Sequence, residues 1–209
     1  MDSYRVRLHF EKTGDLRLIS HHDLLRTLER LFRRADVSLR MSEGFHPKPR
    51  MSFPSALGLG IAGLDEIMEA ELAESIPPPQ LVSRLNACAP PGLQFCDAEL
   101  LTAQQKNARA KAASYTVAVS DELRPRVAAG IERLLAAESH LIERPGRVVP
   151  IELRELVQEL ELNDAGLCMT LRMTGEAGIR PRDVLEAIGF APNEQEGMLV
   201  ARTRIELEI

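Results

Sequence analysis

Tyr4-Arg5-Val6-Arg7-Leu8-His9-Phe10 comes first, then a turn at Lys12-Thr13-Gly14-Asp15. After it stands Ser20-His21-His22-Asp23-Leu24-Leu25-Arg26-Thr27-Leu28-Glu29-Arg30-Leu31-Phe32-Arg33-Arg34-Ala35. Tyr4, Val6, Leu8 and Phe10 alternate with Arg5, Arg7 and His9, the period of a strand with one buried face. Leu24, Leu25, Leu28, Leu31, Phe32 and Ala35 fall on one stripe of a helix, with Arg26, Arg30, Arg33 and Arg34 on the opposite side. Ser20 suits the N-cap, and Asp23 three residues later completes a capping-box pattern. In that pattern the carboxylate reaches back to a free backbone N–H. A strand followed by a helix with one apolar stripe is half of a βα unit, and the rest of the chain extends it.

Short strand signals follow at Ser38–Met41 and Met51–Leu57, with a clearer one at Glu66–Leu72. Pro77-Pro78-Pro79 opens a second helix with the stripe Leu81, Val82, Leu85 and Cys88. Pro90-Pro91-Gly92 ends it before a strand at Leu93–Leu101. The order β-α-β-β-α-β is the ferredoxin-like, split βαβ plan. Thr102–Ala113 is polar, small and without period, a linker. The pattern then restarts. Tyr115, Val117 and Val119 alternate, and Ser120 caps a helix carrying Leu123, Val127, Ile131, Leu134 and Leu135. Strand signals recur at Ser139–Glu143, Leu156–Leu162 and Leu167–Met173. Pro181 opens a short helix with Val184, Leu185 and Ile188, Gly189 closes it, and Leu199 to Leu207 alternates as a last strand. The expected fold class is α+β, two ferredoxin-like halves from an internal duplication. Residues 1–101 form the first half, 102–113 the linker and 114–209 the second half.

A chain of 209 residues, 44% hydrophobic and 27% charged, can bury a globular core. No apolar run approaches the roughly 20 residues of a membrane span. Met1-Asp2-Ser3-Tyr4 lacks a signal-peptide pattern, so a cytoplasmic location and no membrane partner are expected. Cys88, Cys96 and Cys168 form no metal-ligand spacing, and none is expected to hold an iron–sulfur cluster. The net charge of -5 conceals an asymmetry: residues 1–50 hold 11 Lys+Arg against 7 Asp+Glu, and the remainder 15 against 24. An acidic whole argues against nonspecific nucleic-acid binding, while a basic first quarter permits one anionic ligand.

That basic quarter ends in Ser42-Glu43-Gly44-Phe45-His46-Pro47-Lys48-Pro49-Arg50. Gly44 permits backbone angles closed to other residues, and Pro47 and Pro49 stiffen the segment. Lys48 and Arg50 add cationic donors beside the helix that carries Arg26, Arg30 and Arg33. A stiff cationic loop next to a basic helix face suits phosphate or an RNA backbone. The candidate ligand-binding set is therefore Arg26, Arg30, Arg33, Gly44, His46, Lys48 and Arg50. Aromatic residues are 4% of the chain, and no stacking platform is legible.

His21 and His22 stand in the first turn of the helix, where the dipole favours neutral imidazole. His21, His46 and Lys48 are the candidate catalytic residues, as acid, base and charge stabiliser. His21, His46 and Asp23 have no diagnostic metal-ligand spacing, and no metal is expected. Gly58-Leu59-Gly60-Ile61-Ala62-Gly63 resembles a dinucleotide fingerprint but lacks the strand before and helix after it. Gly175-Glu176-Ala177-Gly178-Ile179-Arg180-Pro181 is a comparable turn in the second half, expected to approach the first site.

These blocks together resemble a bacterial family, the radical-SAM-linked proteins with a DUF2344 domain. The resemblance is carried by Arg5-Val6-Arg7, Lys12-Thr13-Gly14, Ile19-Ser20-His21, Asp23-Leu24, Arg26, Arg33-Arg34-Ala35, Ser42 to Pro49, Met51-Ser52-Phe53 and Leu57 to Gly60. At His46 members of that family often carry Asn. The resemblance implies a partnership with a cobalamin-binding-type radical SAM protein, encoded nearby or fused. That partner would carry S-adenosylmethionine, an iron–sulfur cluster and cobalamin, with no cofactor on this chain. It also implies proximity to RNA or ribosome-related components, through neighbouring genes for a ribonuclease of the E/G type and ribosomal proteins. The leading expectation is an accessory protein that binds RNA, or another phosphate-bearing substrate, for the radical SAM partner. The alternatives are a metal-independent RNA-processing or RNA-modifying enzyme, and a structural assembly factor.

Overall fold

The computed structural model describes residues 4–102, 104–144, 149–174, 178–193 and 197–208. The protein is of mixed α+β class, and the chain divides into two compact units: Met1–Arg109 with Leu207–Ile209, and Ala110–Glu206.

In the first unit, strand β1 (Tyr4–Lys12) buries Val6, Leu8 and Phe10 on one face and turns Arg5, Arg7 and His9 to the other. A 3-10 turn at Gly14–Leu18 leads to helix α1 (His21–Arg34), which buries Leu24, Leu28, Leu31 and Phe32. Strands β2 (Met51–Ser52) and β3 (Ala62–Leu72), helix α2 (Pro78–Asn86) and strand β4 (Leu93–Leu101) follow. The strand order is β4-β1-β3, with β2 on β3, and each of these pairings is antiparallel. The apolar residues of β1, β3 and β4 join those of α1 and α2 in one core. Pro78 starts α2, and Gly92 takes a positive φ of 83° where Thr13 closes on it.

Three local expectations change. The strand expected at Met51–Leu57 shrinks to Met51–Ser52, because Pro54 has no N–H with which to extend a ladder. The one expected at Ser38–Met41 is reduced to isolated bridges from Leu39 to Leu72 and from Met41 to Pro49. The Asp23 carboxylate does not reach the backbone of Ser20 as expected. It takes the Ser20 hydroxyl at 2.7 Å, while Ser20 Oγ also accepts from the Asp23 N–H at 3.2 Å.

In the second unit, strand β5 (Arg109–Val117) begins inside the stretch 102–113 read as linker, so its last five residues are strand. Helix α3 (Arg124–Ala136) starts at Arg124 with Leu123 as N-cap, and no side chain caps it. Ser120 contributes its carbonyl instead of its hydroxyl, accepting from the N–H groups of Leu123 and Arg124, and Pro125 sets the first turn. Strands β6 (Leu141–Ile142) and β7 (Ile151–Glu152) pair with each other, followed by the single-turn helix α4 (Leu153–Leu156). Strands β8 (Val157–Asn163) and β9 (Gly166–Arg172), helix α5 (Pro181–Ala187) and strand β10 (Val200–Glu208) complete the chain. The order is β10-β5-β9-β8. Gly189 takes a positive φ of 72° just past α5, where its N–H bonds the Glu186 carbonyl.

Candidate basic face of the first unit

Helix α1 carries the first half of the candidate site. Arg26, Arg30 and Arg33 are spaced i, i+4, i+7 and therefore align along one ridge, opposite the buried stripe. All three are exposed. Arg26 lies 3.6 Å from the Asp23 carboxylate one turn earlier, a pair in open solvent. Arg30 and Arg33 make no ion pair among the described residues. Arg34 is used structurally, donating to the Cys88 carbonyl at 2.8 Å.

The second half is a hairpin. Its base is tied by Arg50 N–H to the Arg40 carbonyl and Arg40 N–H to the Glu71 carbonyl, both 2.8 Å. Above that, Ser42 N–H donates to the Lys48 carbonyl at 2.7 Å, and Lys48 N–H donates to Ser42 Oγ at 3.0 Å. Residues 43–47 form the tip, all exposed. Gly44 has a φ of +119°, and a Cβ there would meet nothing within 4 Å. Glycine is required at that point by backbone angle alone.

The two halves meet at the C-terminal part of α1. Glu29, Phe32, Arg33 and Asp36 line an open groove of about 550 Å³ with Met41, Pro47, Lys48 and Pro49. Arg33 and Lys48 thus share one wall-to-wall space, which the carboxylates of Glu29 and Asp36 also border. Arg50 does not enter it. Its guanidinium lies 3.2 Å from Glu71 and borders a different recess with Arg5, Met51, Ser52, Glu69 and Asn107.

His21 and His46 are not among the groove's lining residues. The His21 ring stands edge-on to Phe53, centroids 5.0 Å apart, and Phe53 stands edge-on to Phe10 at 6.3 Å. Its pKa falls below the ordinary histidine value because burial disfavours the charged ring, and His22 and Lys12 add positive charge nearby. The neutral imidazole expected from the helix dipole is thus favoured by burial first. Lys12 is 1% exposed and donates to the carbonyls of Ile19 at 3.2 Å and Arg17 at 3.4 Å, which closes the turn before α1.

His21, His46 and Asp23 do not come together, and among the described residues no group of three or more His, Cys, Asp and Glu could hold a metal ion. Cys88 lies in the turn past the end of α2, Cys96 on β4 and Cys168 on β9. The Cys96 thiol is pushed up by burial and then by the carboxylates of Glu11, Asp65 and Asp97, the opposite of what a thiolate ligand needs. Gly58–Gly63 is a connection into β3, with Gly60 N–H bonded to the Arg17 carbonyl at 3.0 Å. Residues 175–177 of the Gly175–Pro181 turn lie outside the described residues.

One residue escaped the sequence reading. Phe45, at the hairpin tip, is 101% exposed. Its flanks were the available signal, since Gly44 and His46-Pro47 leave a five-residue tip no core to fold onto.

No curated protein matches the sequence. Among solved structures, an unknown protein from Galdieria sulphuraria is similar at 9% identity, with 100% of each chain covered and a TM-score of 0.31. The family model of DUF2344, described as an uncharacterized protein conserved in bacteria, matches residues 5–181, and this chain, with its basic helix and glycine–proline hairpin, belongs to that family.

Proposed function

We propose that this chain is an accessory, substrate-binding module. It presents RNA, or another phosphate-bearing substrate, to a cobalamin-binding-type radical SAM protein in the cytoplasm. The observation that carries the reading is that Arg30, Arg33 and Lys48 are exposed and make no ion pair among the described residues, with Arg33 and Lys48 lining the same groove. The sheet face of the same unit offers a contrast. There Glu69 takes Arg5 at 3.1 Å and Arg7 at 2.9 Å, and Glu99 takes Arg7 at 2.7 Å, so those cations are already satisfied. A phosphate ligand therefore finds its charge partners on α1 and the hairpin.

The strand orders support two split βαβ halves, with β1 between β3 and β4 in the first and β5 between β9 and β10 in the second. The partner supplies S-adenosylmethionine, the iron–sulfur cluster and cobalamin, and this chain's residues bind and orient. Exposed Leu18 and Leu59 give a protein partner an apolar foothold, on segments tied by the Arg17–Gly60 hydrogen bond.

The test is binding and co-elution together. Purified protein is mixed with the radical SAM protein encoded beside it, with and without cellular RNA, and Arg30→Glu and Lys48→Glu are compared with wild type at low salt. A complex tightened by RNA, with RNA lost on charge reversal, is the expected result. RNA binding unchanged by both reversals would displace the site.

A second reading is a metal-independent RNA-processing or RNA-modifying enzyme with His21, His46 and Lys48 as its groups, in which His21, held toward neutral imidazole by burial, would serve as the base. Unchanged turnover of bound RNA in a His21→Ala, His46→Ala double variant removes it.

A further inference from the structure

A phenylalanine that leaves its whole ring in water contributes nothing to the core, and the chain holds this one out deliberately. Phe45 is 101% exposed. The tip that carries it is fastened on both sides by the Ser42–Lys48 bonds, stiffened by Pro47 and Pro49, and turned at Gly44 with φ +119°. Met41, at the base of the same hairpin, is 47% exposed and borders the groove of Arg33 and Lys48. An isolated exposed apolar residue needs no explanation. An aromatic ring on a braced tip with Lys48 three residues away is a different arrangement, because an aromatic face beside a cationic track is how single strands are held.

We infer that Phe45 is a stacking platform for an unpaired nucleobase, so that the ligand of this face is a single-stranded nucleic acid. The inference rests on the anion-binding reading of the same face and narrows it. A duplex hides its base faces inside the stack and could use only the cations. A small phosphate metabolite without a base would use only Arg33 and Lys48 and leave the ring idle. Lys48 and Phe45 lie at most about 10 Å apart along the chain, so a base on the ring leaves the adjoining phosphates next to Lys48, with Arg33, Arg30 and Arg26 continuing along the helix ridge. The mixed charge of the groove agrees with this. Glu29 and Asp36 would repel a compact polyanion seated inside it, whereas a strand anchored by a base at the tip needs only to pass along the exposed cations. A protein partner that received Phe45 in an apolar pocket would have no use for Arg30, Arg33 and Lys48, which make no ion pair among the described residues.

Fluorescence polarisation of the whole chain with a labelled single-stranded oligoribonucleotide, the same sequence as a duplex, and inorganic polyphosphate as competitor tests this. The expected order is single strand tighter than duplex, with Phe45→Ala weakening the single strand about tenfold. Polyphosphate competition against the variant should stay unchanged per unit of protein bound. Phe45→Tyr should restore binding and Phe45→Leu should not, since stacking needs a ring and an apolar pocket does not. Because the side chain touches no core, each variant should melt with wild type. Phe45→Ala binding the single strand as wild type does, with Lys48→Glu still losing it, would overturn the stacking role and leave the anion-binding reading standing. Equal losses on single strand and duplex, equal rescue by leucine, or loss of a protein partner with RNA binding intact would each overturn it as well. No binding of any of the three polyanions would remove both readings together.

Discussion

His21 stands between an aromatic edge and two cationic neighbours, and that placement decides its protonation. Burial against Phe53 disfavours the imidazolium, and His22 and Lys12 disfavour it further. The folded chain therefore resists a proton that the unfolded chain accepts near pH 6.5. Stability is unaffected by this group above that pH, declines as pH falls through it, and stops declining once the folded ring is also protonated. NMR titration of the His21 ring should give a midpoint below 6.5, and Phe53→Ala should move it upward. If Phe53→Ala leaves the midpoint in place while His22→Gln raises it, the cations and not burial set the shift. Gly44 is a second case in which one residue's physics is separable. Its φ of +119° is closed to an L side chain, yet nothing stands within 4 Å of an added Cβ. Gly44→Ala should therefore cost about 1–2 kcal/mol through backbone strain alone, confined to the tip. Hydrogen exchange should show faster opening at Ser42 and Lys48 and no change in the core of α1. A loss spread over the whole first unit would mean that the tip packs against something after all.

Helix α1 shows how an element divides its residues between stability and binding. Leu28 is fully buried in the core cluster and Arg30 is exposed on the ridge. Leu28→Ala should destabilise the protein by about 2–5 kcal/mol, while Arg30→Glu should change stability by no more than about 0.5 kcal/mol. Denaturant titration separates them, and a large loss in Arg30→Glu would make the arginine structural. Helix α3 offers the reverse contrast. Gly130 sits in its interior, where alanine would ordinarily add about 1 kcal/mol. A Cβ at Gly130 would press on the Ile188 carbonyl oxygen, inside van der Waals contact. Gly130→Ala should therefore lower the melting temperature. Elements like α1 were legible in the sequence because one apolar stripe implies one buried face, and Pro78 and Pro181 marked helix starts by their fixed φ. The hairpin strands were less legible. Their pairing depends on whether Leu39 finds Leu72 and whether Pro54 interrupts the ladder, and neither is visible as a period. The start of β5 at Arg109 was hidden for a related reason, since Arg109-Ala110-Lys111-Ala112-Ala113 is too poor in large apolar residues to alternate.

Across the whole molecule, charge is arranged by long-range pairing that no local pattern announces. Arg50 belongs to the same motif as Lys48, and in the sequence the two look equivalent. In the structure Arg50 meets Glu71, 21 positions away, while Lys48 is left to the groove with Arg33. The five cations read as one cradle are therefore of two classes: Arg30, Arg33 and Lys48, which make no ion pair among the described residues, and Arg26 and Arg50, each already beside a carboxylate. Salt dependence distinguishes them. For a single strand, each phosphate contact contributes about 0.7 to the slope of log K against log salt. Lys48→Gln and Arg33→Gln should each weaken RNA binding and reduce the slope by about that amount. Arg50→Gln should leave the slope as it is, because the Glu71 carboxylate has already replaced its counterion, and should show instead a modest loss of stability from losing the Arg50–Glu71 contact. Binding isotherms from about 50 to 200 mM salt on the three variants decide it. A slope change at Arg50 equal to that at Lys48 would mean that the pair with Glu71 opens when RNA arrives, and the basic face would then extend from the helix ridge onto the recess of Arg5 and Asn107.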